Sequence, residues 1–286
     1  MGLRINNNIA AQNAYRSLSV SDSQMGKSLE KLSSGYRINR AADDAAGLSI
    51  SEGLRSQIGG LKVAVRNAQD GISVVQTAEG ALTETHSILQ RMRDLAVQAS
   101  SSGSQDTNAQ GAAQTEFTQL STELDRIAKT TSFGSQKLLD VSSAYKGTFQ
   151  VGANTSTSDQ INVDLSASVF GTASGAPAGF DASGLGLGSL NLVSNAASAI
   201  DQIDTAIKGV STARATLGAY QNRFDHTINN LNVAVENLSA SESRIRDTDM
   251  AQEMVSYTRS QILTQAGTSM LAQANQAPQN VLSLLR

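Results

Sequence analysis

The sequence predicts a mainly α protein: a long antiparallel, coiled-coil-like helical bundle that carries a small β-hairpin region. Three observations over its 286 residues predict this. The first is a stretch that steps by three and four through Ile200, Ile203, Ile207, Val210, Arg214, Leu217, Gln221, Phe224, Ile228, Leu231, Val235, Leu238, Glu242 and Ile245. Eleven of these fourteen positions are apolar, which is the signature of a sustained helical seam. The second is a matching seam in the first hundred residues, through Leu54, Ile58, Leu61, Val65, Ala68, Ile72, Val75, Leu82 and Leu89. The third is a change of pattern between Asp140 and Asn191, where charge thins out and apolar and polar residues alternate. Two helical ends that both need partners fold against each other. Any apolar stripe left over must be met by other copies of the chain.

In order, a first helix is expected from about Asn6 to Ser33, with Tyr15, Leu18, Met25, Leu29 and Leu32 on one face and Asp22 interrupting it. Ser33, Ser34 and Gly35 stop it, since glycine takes the left-handed conformation that commonly ends helices. Tyr36 to Asp44 reads as a linker, followed by a second helix from about Ala45 to Ala99. Its interior glycines each cost roughly 1 kcal/mol against alanine, so they point to close packing or mild bending. After a turn at Ser100 to Thr107, a third helix runs to about Thr131 with Phe117, Leu120, Leu124 and Ile127 on one face. Gly147 to Gly152 and Gln160 to Leu165 alternate around a turn-rich link, so a hairpin is expected at about 147–166. The Gly/Ala/Ser-rich stretch at about 167–192 is expected to be an exposed loop, dispensable for assembly. The helix then resumes near Asn195 and runs to Arg246, about 75 Å at the α-helical rise. Asp249 with Gln252 makes a capping start for a last helix, which Pro278 is expected to end near Asn275.

Composition narrows the function. Only 4% of residues are aromatic, with no tryptophan, and a net charge of −3 gives no basic footprint for nucleic acid. With no cysteine, the chain has neither disulfides nor thiolate ligands. Met1 to Val20 lacks the apolar core of a cleaved signal peptide, and no stretch approaches the roughly 18 apolar residues of a membrane span. The terminal stripes carry Ser, Gln and Asn on their polar faces, not the dense Lys/Arg of a bilayer-surface helix.

Sites for chemistry are weak. His86 and His226, the two histidines, both fall on helix patterns and read as structural. The Gly184–Gly188 run lacks the strand and helix of a nucleotide-binding turn. The stretch from Asp106 begins like a calcium loop, but Phe117 stands where the bidentate glutamate belongs. Asp43 and Asp44, beside Arg37 and Arg40, suggest salt bridges more simply than a carboxylate pair. Arg214, Gln221 and Glu242 are polar seam residues of the kind that set register. No catalytic, cofactor-binding or metal-binding residues are assigned.

The residues themselves then carry a resemblance. Ile5–Asn8, Leu32–Asn39, Ala41–Ser49, Leu89–Gln98, Gln261–Leu263, Gln265–Ser269, Leu271–Asn275 and Pro278–Arg286 together resemble the signatures of bacterial flagellin, in their proper order. The match covers roughly residues 1–150 and 190–286, and the chain is similar to a short member without outer domains. One departure is Gly134, where the family often has Asn-Gly after Phe, which alters a turn and not the fold.

The resemblance implies a subunit that polymerises into the flagellar filament. Residues 1–40 and 249–286 would pair as the inner D0 layer, and 41–248 would form the D1 layer. It implies inner-layer packing by Leu18, Met25, Leu29, Leu32, Ile262, Met270, Leu271, Leu282 and Leu285, and a D1 seam through Leu54, Ile58, Leu61, Ile72, Ile200, Ile207, Leu217, Phe224, Ile228, Leu231 and Leu238. As partners it implies further copies of the chain, an export chaperone and the type III export apparatus, hook-associated and cap proteins, and host innate receptors that read Arg91, Leu95 and Glu116. Leu284 lies with the C-terminal leucines in a segment read by cytosolic sensors. The location implied is extracellular, and no cofactor, nucleic acid or membrane insertion is implied. A hook–filament junction protein of the same axial family is the alternative.

Overall fold

Polar side chains and glycines set the boundaries of the elements. The computed structural model describes residues 8–101, 106–140, 145–165 and 179–284, with side chains as far as Gln276. Five helices appear among them: α1 (Ile9–Ser34), α2 (Ala45–Ser100), α3 (Thr107–Thr130), α4 (Leu192–Arg246) and α5 (Met250–Leu284). The strands are β1 (Ser132–Phe133), β2 (Gln136–Lys137), β3 (Lys146–Gln150) and β4 (Gln160–Asp164). Asn8, Asp44, Asp106 and Asp249 each accept a first-turn amide of the helix they precede, which satisfies otherwise orphaned donors. Gly35 closes α1 at φ 75°, donating its N–H to the Lys31 carbonyl. Gly134, at φ 59°, makes the tight turn between β1 and β2. Asn195 leaves helical geometry and kinks α4 near its start.

The chain forms two compact units: Met1–Gln57 with Glu236–Arg286, and Ile58–Val235. In the first, α1 and α5 pair antiparallel, with Asn8 against Ala274, Gly267 against Leu18 and Lys31 beside Glu253. The seam on α1 is Ala11, Ala14, Leu18, Ser21, Met25, Ser28 and Leu32, a strict three–four repeat made mostly of small side chains. It differs from the sequence expectation: Tyr15 and Leu29 lie exposed outside it, and Asp22 does not interrupt it. Facing it on α5 are Tyr257, Ser260, Thr264, Gly267, Leu271 and Ala274. A Cβ at Gly267 would sit 3.3 Å from the Leu18 side chain, so the helices approach closely there.

Contrary to expectation, α5 continues through Pro278 to Leu284. Proline removes the N–H that would bond the carbonyl of Ala274. The Asn8 side chain supplies the missing donor: its Nδ2 reaches the Ala274 carbonyl oxygen at 2.8 Å, while its Oδ1 caps α1 at Ala11. Asn8→Ala loses a helix cap and orphans a carbonyl, and should destabilise the α1–α5 pair by about 1–3 kcal/mol. Asn8→Asp keeps the cap but not the donor, so thermal melts followed by circular dichroism should place it between the two.

The link from α1 to α2 is tied to the α4–α5 corner. Arg37 N–H donates to the Arg246 carbonyl at 2.7 Å, and Thr248 N–H to Gly35 at 3.0 Å. The Arg246 guanidinium lies 4.8 Å over the Tyr36 ring and pairs with Glu52 at 2.7 Å. Asp43 and Asp44 are not paired with Arg37 and Arg40. Asp43 instead accepts the amides of Asn39 and Arg40, and Arg40 pairs with Glu30. Backbone amides in the tight link lie nearer to these short carboxylates than the long arginine heads do.

In the second unit the core is one cluster from α2, α3, α4, the hairpin and the segment after it. On α2 it takes Ala68, Val75, Ala78, Leu82, Leu89, Met92 and Ala96, and on α4 Ile203, Val210, Leu217 and Phe224. Strands β3 and β4 pair antiparallel, with Phe149 opposite Ile161. Phe149 meets Phe224 edge-on, with centroids 5.5 Å apart at 88°. A Cβ added to Gly71 would come within 2.7 Å of the Phe224 ring, so glycine is what admits that ring against α2.

The expectation of an exposed loop at 167–192 is corrected in part. Residues 166–178 lie outside the described residues, but 179–192 fold onto the core. Phe180, Ala182, Leu185, Leu187 and Leu192 are buried. Asp125 accepts the Ala182 amide at 2.8 Å, and Gln114 accepts from Leu192 and donates to the Leu190 carbonyl. The glycines between these apolar residues let the backbone turn tightly; Gly186 sits at φ 76°.

Candidate functional site

Helix α5 carries large apolar side chains outside the seam by which it packs on α1. Its small-residue seam packs on α1. Outside that seam Met250, Met254, Val255, Ile262, Leu263 and Met270 stand exposed, Ile262 at 60% and Met270 at 66%. A shallow groove of about 460 Å³ runs along Met254, Val255, Thr258, Arg259, Ile262 and Leu263. A second, of about 690 Å³, lies across Tyr15, Arg16, Val20 and Leu271. Isolated exposed apolar residues are ordinary, but a contiguous row along a helix marks a surface that something covers. Glu253 is half-buried beside Lys31, and the groove along Met254 to Leu263 carries one charged side chain, Arg259, whose long stem can leave its head at the edge.

The proposed inner-layer residues therefore divide into two sets. Leu18, Met25, Leu32 and Leu271 are half-buried in the α1–α5 seam, whereas Leu29, Ile262 and Met270 face outward. The side chain of Leu282 and all of Leu285 lie outside the described residues. Among the expected seam residues, Ile58, Leu217, Phe224 and Leu231 are buried, and Leu54, Leu61, Ile72, Ile200, Ile207, Ile228 and Leu238 are half-buried.

The polar seam residues Arg214 and Gln221 meet a partner the periodicity did not single out. Gln221 Nε2 donates to Glu79 at 2.8 Å, and Arg214 lies 3.9 Å from the same carboxylate. The signal was in the sequence: Glu79 follows Ala78 on the buried side of α2 and breaks its apolar run. Such a polar layer fixes how two helices line up, because sliding one past the other unpairs a half-buried charge.

Of the three residues taken as a receptor surface, Arg91 and Glu116 are exposed and paired at 2.7 Å. Leu95 is 2% exposed and belongs to the core. His86 touches Gln90 at 3.0 Å, and His226 is exposed on α4. No helix among the described residues is long and apolar enough to cross a membrane.

Three carboxyls are held below their ordinary range. The Asp204 carboxyl is held below its ordinary range, first by the hydrogen bond from Arg93 Nε at 2.6 Å and then by the charge of that guanidinium. Glu123 is lowered in the same way by Arg126, and Asp43 chiefly by the Arg40 backbone amide. A depressed carboxyl contributes stability above its unfolded pKa, here near 3.8 for aspartate and 4.5 for glutamate, and loses it as pH falls through the folded value. The stability these carboxyls contribute should thus be retained above about pH 5 and be lost as pH falls below about 4. Denaturant titrations at stepped pH check this, and Asp204→Asn should flatten part of the acid limb.

Two family models cover most of the chain: the bacterial flagellin N-terminal helical region at residues 5–144 and its C-terminal helical region at 200–285. A flagellin of Halalkalibacterium halodurans is 53% identical over 282 residues, covering 99% of each chain. A flagellin of Bacillus subtilis is 50% identical over 310 residues, covering 99% of this chain and 100% of its own. The crystal structure of Bacillus cereus flagellin aligns over 58% of this chain and 88% of that one, at 31% identity and a TM-score of 0.48.

Proposed function

The chain belongs to the bacterial flagellin family, and from that premise we infer how this subunit joins its neighbours. It is a structural subunit that polymerises into the flagellar filament, and not an enzyme. Full-length likeness to flagellins at about half identity disfavours the hook–filament junction alternative.

The observation that supports the mode of assembly is the apolar surface that α5 leaves exposed outside its seam. Its outer row, with the Tyr15–Val20 surface of α1, is covered by other copies in the filament. A patch on one copy that meets a different patch on the next gives a contact that repeats without closing, and so an open helical polymer. On this reading α1 and α5 form the inner D0 layer, with residues 1–40 and 249–286 as its bounds, and 41–248 form the D1 layer. Leu282 and Leu285 extend the inner packing. The subunit leaves the cell through the type III export apparatus, held beforehand by an export chaperone, and lies outside the cell between hook-associated and cap proteins. Arg91 and Glu116 are the exposed part of a host-receptor surface.

Electron microscopy of purified subunits after seeding tests the assembly. Long tubes of uniform width are expected, and amorphous aggregates or persistent monomer would refute it. A variant lacking Met250–Arg286 should give no tubes, while its Ile58–Val235 core melts as in the full chain.

A further inference from the structure

The chain has six methionines and no cysteine, so its thioethers are its oxidisable sulfurs. Their placement is uneven. Met92 is fully buried in the core of the second unit. Met250, Met254 and Met270 are 48%, 51% and 66% exposed, and all three lie on α5 outside the α1 seam. Met254 also lines the groove shared with Val255, Ile262 and Leu263.

We propose that Met250, Met254 and Met270 are a modification site at which peroxide-class oxidants stop unassembled subunits from entering the polymer. This rests on the reading that the outer row of α5 is covered by other copies. A thioether lone pair attacks the distal oxygen of a hydroperoxide. The O–O bond breaks, an S–O bond forms, sulfur is oxidised by two electrons, and the peroxide leaves as water or alcohol. The product is a polar, chiral sulfoxide where a flexible apolar side chain had been. Burying that oxygen without a donor is costly: Val255, Ile262 and Leu263 offer none, the Thr258 hydroxyl already donates to the Met254 carbonyl, and Arg259 is the remaining side-chain donor lining the groove. Exposure sets susceptibility, so these three react while Met92 stays reduced in the folded subunit. Once the row is covered, the same side chains are shielded.

The test is a sorting experiment on the full-length protein. Subunits are partly oxidised with hydrogen peroxide, seeded, and separated into filament and supernatant, and peptide mass spectrometry counts the added oxygen at each methionine. Incorporated subunits should be depleted at least tenfold in sulfoxide at Met254 and Met270 relative to the supernatant. Equal sulfoxide content in both fractions overturns the proposal. Met254→Leu with Met250→Leu and Met270→Leu should polymerise and keep doing so after peroxide; loss of polymerisation by peroxide in that variant places the damage elsewhere and also overturns it. The two readings fail separately. If filaments treated with peroxide oxidise at Met254 and Met270 as fast as monomers do, the covered row itself is wrong. If they are protected, yet oxidised subunits enter freely, only the block is wrong.

Discussion

Phe224→Ala should destabilise the Ile58–Val235 unit by about 3–5 kcal/mol, measured by denaturant unfolding. Phe224 is fully buried, so the change removes most of a ring from a packed site. It also removes the edge-on contact to Phe149, through which the hairpin leans on α4. Gly71 makes the sharper test. Gly71→Leu drives a side chain into space that the ring occupies and should cost more than the roughly 1 kcal/mol that leaving glycine returns to a helix. In the Gly71→Leu, Phe224→Ala double variant the leucine enters the vacated volume. The combined loss should fall short of the two single losses added together by at least 1 kcal/mol. Additive losses would mean the ring and Gly71 do not share one space.

Ile262→Asp should leave the free subunit nearly unchanged and stop elongation. At 60% exposure the isoleucine contributes little within one subunit, so melting should move by no more than about 0.5 kcal/mol. Covering a carboxylate with apolar neighbours costs several kcal/mol, which raises the subunit concentration needed for growth about a hundredfold or more. Ile262→Leu should polymerise as the native chain does. Sedimentation after seeding measures both, and normal growth of the aspartate variant would show that this row faces solvent in the filament.

How much of this was legible in the sequence depends on side-chain size. The seams of the second unit announced themselves because Leu82, Leu89, Leu217 and Phe224 are large and recur at helical spacing. The α1–α5 seam did not, because Ser21, Ser28, Ser260, Thr264 and Gly267 carry no apolar signal, and large residues such as Tyr15 and Leu29 lie off it. A close approach is read from smallness, and periodicity weighted by hydrophobicity is blind to smallness. The segment at 179–192 looked like a loop for a related reason: Phe180, Leu185 and Leu187 are separated by glycines that break any period, yet each finds the core. Pro278 was a sound stop signal locally, but the donor that answers it lies on Asn8, at the far end of the chain.

That last contact joins residues 266 apart, the cap of α1 and a residue of α5. At a ribosomal rate of about 5–20 residues per second, α1 waits on the order of 10–50 s before its partner helix exists. Through that interval its seam has nothing to close on, whatever its eventual affinity. The pairing therefore waits until α5 has been made, and a chain cut short before Ala274 cannot make this contact.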